Sequence, residues 1–219
     1  MITGIVFVLR TGLPWRDLPR EFGPWSSVYT RFRRWCRSGL WKKILALLGM
    51  DACCSIRFVD CTHIKVHQHA ANAAGGAVAQ AIGRTKGGPN TKLAAVVDGL
   101  GRATGLSLAP GNRNDLRAVA PLIDKMADCA VVGDRGFDAG TFRRDLLAVG
   151  ARPCIPPRCS SKIQHYYSEL LYAKRHVVEN FFARIKRLRR VATRYEKLSE
   201  TFLGFVTFAA VLDWLHFEV

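Results

Sequence analysis

The chain has 219 residues, 49% of them hydrophobic, which excludes a disordered chain and allows one well-cored domain with a small accessory one. A formal net charge of +16 points to a polyanionic partner, most simply nucleic acid, held with an affinity that falls as salt rises. The cations are spread through the chain instead of flanking one apolar span, which disfavours a basic protein of the membrane surface.

Residues 1–9 are apolar but lack a basic leading segment and a small-residue cleavage site, so no targeting peptide is expected. Residues 202–217 are too short for a span and carry Asp213; they predict a core-facing terminal helix in a cytoplasmic protein. The cysteines, at 36, 53, 54, 61, 129, 154 and 159, are odd in number and form no CxxC pair. That pattern predicts reduced thiols, not a disulfide framework or a zinc ribbon.

Residues 1–50 read as a separate helical module. An apolar helix over 2–10 ends at Thr11-Gly12 and the proline-marked LPWRDLP. Ser26 or Ser27 can cap a second helix, VYTRFRRWCR, whose Val28, Phe32 and Trp35 share a face while Arg31, Arg33, Arg34 and Arg37 crowd the rest. Gly39 separates it from a third helix, LWKKILALLG. An Arg-rich face with Arg33 and Arg34 suits DNA contact in a helix-turn-helix manner, and equally a solvated basic surface.

Residues 51–219 predict a mixed α/β domain. Residues 55–62 form a buried strand ending in Asp60, followed by a loop with His63, His67 and His69, which suits zinc poorly and nucleic-acid contact better. QAIGRTKGGPNTK, residues 80–92, lacks the GK[ST] ending of a nucleotide-phosphate loop. It reads as a flexible cationic loop that lays Arg84, Lys86 and Lys92 along a nucleic-acid backbone. Strands over 93–97 and 105–109 make an antiparallel hairpin. Asn114-Asp115 caps a helix interrupted by Pro121. A short strand, 130–132, delivers Asp134; a helix over 141–149, a strand over 151–155 and a terminal helix from Ser199 complete a mixed sheet flanked by helices.

Residues 172–190, YAKRHVVENFFARIKRLRR, contain neither Gly nor Pro and predict one continuous helix. Tyr172, Arg175, Glu179 and Lys186, at offsets 0, 3, 7 and 14, fall within an arc of roughly 60°. Val178, Phe181, Phe182, Ile185 and Leu188 occupy the neighbouring, core-facing arc. A solvated Glu–Lys face would look the same, and an Asp after an apolar strand is commonly a turn former. The sharper reading brings Asp60 and Asp134, on neighbouring strand ends, to Glu179. Three carboxylates make an all-oxygen site that suits Mg²⁺ or Mn²⁺. Two such ions can activate a water or 3′-hydroxyl and stabilise the leaving oxygen of a phosphodiester.

VDCTHIKVHQHAANA with Asp60, GRTKGGPNTKL, VVGDRGFD with Asp134, and LYAKRHVVENFFARIKRLRRVATRYEK with its Tyr-x2-Arg-x3-Glu-x6-Lys spacing resemble bacterial insertion-sequence transposases of the DDE class, in the insertion-sequence-five group. RTGLPWRDLPREFGPWSSVYTRFRRW resembles the group's N-terminal helical region, so the resemblance covers nearly the whole chain. It implies a ribonuclease-H-like catalytic fold, preceded by a helical module that starts partway in. Some relatives are made from two overlapping reading frames. It further implies Asp60, Asp134 and Glu179 as the catalytic, metal-binding triad with two Mg²⁺ or Mn²⁺ ions, and Arg175, Lys186 and Tyr172 as contacts to DNA. The implied reaction is cleavage at the element's terminal inverted repeats and joining of the freed 3′-hydroxyls to target DNA, by a homo-oligomer on double-stranded DNA. A repressor that binds without cutting, and a nuclease that cuts without joining, are the alternatives.

Overall fold

In the computed structural model, which describes residues 1–52, 55–72 and 75–216, strand β1 (Ile56–Val66) is the axis of the sheet. Cys53 and Cys54 lie outside the described residues. β1 does not end near Asp60 and Thr62 as expected but runs on to Val66. His63, Ile64, Lys65 and Val66 alternate exposed and buried, the period-2 pattern of a half-buried strand. A short helix, α4 (Gln68–Ala71), follows; His67 accepts the His69 N–H there and packs 4.9 Å from the Tyr195 ring.

The basic loop expected at 80–92 is mostly strand. β2 (Gly83–Thr85) turns tightly at Lys86-Gly87 into β3 (Gly88–Asp98), which pairs antiparallel with β1 from Arg57↔Asp98 to Lys65↔Asn90. β4 (Ala103–Pro110) closes the expected hairpin on β3. Asn114 caps α5 (Asp115–Val119) by accepting the Leu116 N–H at 2.9 Å. Pro121 then turns the chain into a 3-10 segment over Ala120–Met126. β5 (Ala130–Val132), α6 (Gly140–Ala148) and β6 (Arg152–Cys154) complete the parallel side.

The strand order is β4-β3-β1-β5-β6, the first three antiparallel and the last two parallel to β1. With helices on both faces this is a ribonuclease-H-like sheet. One face carries Val59, Ala94, Val96 and Val131 against Val119, Met126, Phe142 and Leu146 of α5, the 3-10 segment and α6. The other carries Phe58, Ile64, Leu93, Ala95 and Val97 against helices from both ends of the chain.

Those helices begin with α1 (Ile2–Thr11), α2 (Trp25–Arg37) and α3 (Leu40–Leu48). α2 starts at Trp25, earlier than expected. Pro24 precedes it with a pre-set φ of −58°, and neither Ser26 nor Ser27 acts as cap. From the C-terminal side come α7 (Glu169–Tyr172), α8 (His176–Ile185) and α9 (Arg189–Ala192), then β7 (Thr193–Arg194) and α10 (Ser199–Trp214). Residues of α10 are buried on nearly every side, so it is a core helix, as its apolar composition predicted. Its Phe205 lies 4.2 Å from Phe32 and 5.9 Å from Trp15 between ring centroids. The helices of 1–50 therefore share one buried cluster with α10 and the sheet instead of enclosing a core of their own. No helix among the described residues is long and apolar enough to cross a membrane.

The expected continuous helix over 172–190 is broken. A 3-10 turn at Ala173–Arg175 separates α7 from α8, and Leu188 is extended before α9. Local propensity yields here to tertiary contacts. Leu188 is drawn into the core, and Arg190 donates to the carbonyls of Gly12 and Leu13 and to Glu196 Oε1.

Candidate active site

Parallel pairing of β1 with β5 ends at Phe58↔Val132. Asp60 and Asp134 each stand two residues beyond that pair, on the strand of one and just past the end of the other. Along the same edge β1 pairs again only at Lys65↔Thr193. The acids thus flank the place where the sheet opens at the carboxyl end of β5, where ligands gather in α/β sheets.

Alternation along β1 puts Asp60, Thr62 and Ile64 on the face covered by α8. Two rungs join the strand to that helix. Arg175 Nη1 donates to Asp60 Oδ2 at 2.9 Å, and Lys186 Nζ donates to Thr62 Oγ1 at 2.6 Å and to the His63 carbonyl at 3.3 Å. Arg175 Nη2 also donates to Glu179 Oε1, its i+4 neighbour. One guanidinium therefore bridges two of the three acids. The α8 residues beneath, Val178, Phe181, Phe182 and Ile185, are all buried as their arc predicted.

The electrostatics agree with the geometry. Burial pushes the Asp60 pKa up; the Cys61 N–H, donating to Oδ1 at 2.7 Å, and Arg175 oppose this, and the charge of Asp134 adds to it. Burial works against the charge of Arg175, but the fields of Asp60, Glu179, Tyr172 and Asp134 outweigh it and raise its pKa. All three acids are thus felt at one cation. Lys186 is shifted down by burial.

Asp134 is held by its own turn, its Oδ1 accepting the Gly136 N–H at 2.8 Å. A Cβ at Gly136 would stand 2.8 Å from that same oxygen, so a side chain there would displace the carboxylate. Behind the turn, Asp138 accepts from Arg143 at 2.8 Å, from the Arg158 N–H at 2.8 Å and from Ser161 Oγ at 2.5 Å. Arg158 in turn donates to the carbonyls of Arg135 and Gly136. Sequence reasoning missed Asp138 and Arg158. The second acid of DRGFD was the available signal, but two of its partners, Arg158 and Ser161, lie 20 and 23 positions away.

The other expected contacts are dispersed. Arg84 and Lys86 are exposed on the β2–β3 hairpin. Lys92, by contrast, is 6% exposed, and its ammonium donates to the Arg113 carbonyl at 2.5 Å and pairs with Asp115. It is a buried structural cation, not the loop cation expected, because residues 88–98 are strand. Arg34 is exposed on α2, and Arg33 lies 5.8 Å from the Tyr29 ring. Tyr172 packs edge-on against Tyr167 at 5.7 Å. His63 Nδ1 lies 3.0 Å from Asn90 Oδ1.

Among the described residues, no three His, Cys, Asp or Glu side chains stand close enough together to hold a metal ion as placed. The donor set still suits a hard cation: its members are carboxylates, and a positive charge, that of Arg175, already lies on two of them. Glu179 is 53% exposed, so its side chain has room to move.

A sheet of this order, with two aspartates where it opens, defines a mixed α/β domain with an acidic cleft. The model for the family described as "Transposase DDE domain" matches residues 52–214, and one described as "Putative transposase of IS4/5 family" matches residues 1–45. The chain belongs to the DDE-domain transposase family. It is 34% identical over 130 residues to the "Putative transposase for insertion sequence element IS6501" of Brucella ovis, covering 57% of this chain and 98% of that one. It is 51% identical over 49 residues to the "Insertion element IS402 uncharacterized 16.2 kDa protein" of Burkholderia cepacia, covering 22% of this chain and 33% of that one. A structure titled "Mos1 transposase paired-end complex with left transposon end" aligns over 95% of this chain and 78% of its own, at 12% identity and a TM-score of 0.29.

Proposed function

We propose that this transposase-family chain cleaves the ends of an insertion element and joins them to target DNA, with Asp60, Asp134 and Glu179 as the acids that hold divalent cations. The observation that supports this reading is that Arg175 binds both Asp60 and Glu179 at the opening of the sheet, with Asp134 just past the end of the neighbouring strand. A divalent cation held by these acids would activate a water or 3′-hydroxyl and stabilise the leaving oxygen.

The chain's own residues supply the rest. The Asp134 turn and the β1 backbone fix two carboxylates on rigid elements, and Glu179 approaches from the first turn of α8. Lys186, tied to β1, presents a cation beside the site, and Arg175 a second, suited to phosphate oxygens. Exposed Arg84 and Lys86 on the hairpin, and Arg34 on α2, extend the basic surface for double-stranded DNA. Two element ends must be brought together, so a homo-oligomer on DNA is part of the proposal.

The deciding assay combines a pre-cut element end bearing a 3′-hydroxyl, a supercoiled target plasmid and Mg²⁺. Joined product is expected. Nicking without joining would replace the proposal with a nuclease, and a mobility shift with neither would replace it with a DNA-binding repressor.

A further inference from the structure

We infer that Arg175 is the resident cation of the acidic cluster: it holds Asp60 and Glu179 together in the metal-free protein and is displaced when a divalent cation binds. This rests on the reading of the three acids as ion-holding groups, and a titration of four proteins with Mn²⁺ separates the two.

The bridge has the features of an exchangeable contact. Arg175 does not present a two-pronged fork to one carboxylate; it gives Nη1 to Asp60 and Nη2 to Glu179. Each carboxylate therefore has an oxygen that Arg175 does not use. The Arg175 side chain is 24% exposed, so the pair is not sealed in the interior and releasing it carries no large desolvation penalty for the arginine. A guanidinium keeps its proton at any physiological pH, so it cannot yield the acids by titrating. It has to move. Arg175 ends the 3-10 turn just before α8, and swinging its side chain outward breaks no backbone hydrogen bond of the helix.

The other cation on this face is differently employed. Lys186 spends its ammonium on Thr62 and His63 and makes no ion pair with the acids among the described residues. Charge balance at Asp60 and Glu179 without metal therefore falls to Arg175. Once displaced, its guanidinium stays at the rim of the site, where the oxygens of a bound phosphodiester would take it up. One residue would then serve two successive anions.

The test measures Mn²⁺ binding to the full chain without DNA, by titration calorimetry, for wild type, Arg175→Ala, Arg175→Lys and Asp60→Asn. If Arg175 competes with the ion, Arg175→Ala binds Mn²⁺ about tenfold or more tightly than wild type. Arg175→Lys falls between them, and Asp60→Asn loses binding. In chelator, Arg175→Ala also melts at a lower temperature than wild type, and Mn²⁺ raises its melting temperature by more. Equal or weaker Mn²⁺ binding by Arg175→Ala, with binding still lost in Asp60→Asn, overturns the exchange and leaves the acids as the site. Binding unchanged in Asp60→Asn overturns the site itself. A readout on unaltered protein covers the case in which Arg175→Ala fails to fold. The Nε–Hε resonance of Arg175 must shift as diamagnetic Mg²⁺ is added, and an unmoved resonance at saturation overturns the proposal.

Discussion

Arg175 and Asp60, 115 positions apart, meet through Nη1 and Oδ2 at 2.9 Å. The contact ties the start of α8 to the middle of β1 and sets the third acid, Glu179, on the same guanidinium. The proposed chemistry depends on this juxtaposition of strand and helix.

Asp60→Asn, Asp134→Asn and Glu179→Gln are each expected to lower end cleavage by a factor on the order of 10² or more, the scale of losing one group that stabilises transition-state charge. DNA affinity should stay equal or rise, because each change removes a negative charge from a basic surface. Paired cleavage and mobility-shift measurements check this. A variant that still cuts at the wild-type rate removes its residue from the site.

The cations of the hairpin divide into two kinds. Lys92→Met, which strips a buried ammonium from Asp115 and the Arg113 carbonyl, is expected to cost about 2 kcal/mol of stability. It should leave the salt dependence of DNA binding unchanged. Arg84→Ala with Lys86→Ala should do the reverse, lowering the slope of log K against log salt by roughly 0.9 for each phosphate that is no longer neutralised. Urea midpoints and salt titrations of the same two proteins decide it.

Asp138 makes the fold sensitive to acid. Burial alone would raise its pKa, but hydrogen bonds from Ser161, the Arg158 N–H and Arg143 prevail and hold it at about 2, below the ordinary 3.8. The sign follows from linkage. A carboxyl with a depressed folded pKa contributes stability that is fully present above its unfolded value and lost as pH falls through its folded one. Stability should therefore decline from just below pH 4 towards pH 2, and Asp138→Asn should flatten that decline. At neutral pH the same variant is expected to lose roughly 3 kcal/mol, the scale for breaking a buried ion pair from one side. Denaturation midpoints across pH are the measurement.

Gly204 marks the close approach of α10 and α2. A Cβ there would collide with Cys36 Sγ. Gly204→Ala should cost about 2 kcal/mol by overpacking. In a Cys36→Ala background the sulfur is gone and only the Cβ of that residue, 3.3 Å away, remains, so most of that cost should disappear. Additive effects in the double variant would show that the two side chains do not meet.

Much of this was legible in the residue pattern. The apolar arc of Val178, Phe181, Phe182 and Ile185 located the buried face of α8, and the hairpin of β3 and β4 followed from two apolar runs and a glycine-bearing turn. The acids were legible as positions, through their motifs and the resemblance those carry. Chain order alone could not say that β1 continues past Asp60, that Lys92 is buried, or that Ala173–Arg175 interrupts a helix-forming stretch. Each of these turns on a partner far away in sequence: Asn90 opposite Lys65, Asp115 beside Lys92, Asp60 receiving Arg175.

Composition and periodicity determined which segments are apolar on which side, and hence a mixed sheet covered by helices in a strongly basic chain. Only the three-dimensional packing decided that the first fifty residues pack into the core of α10 and that a guanidinium sits among the acids. The reason is physical. Periodicity reports how a segment meets water, whereas a charged site is made by long-range contacts whose energies depend on distance and burial, and neither is written in local order.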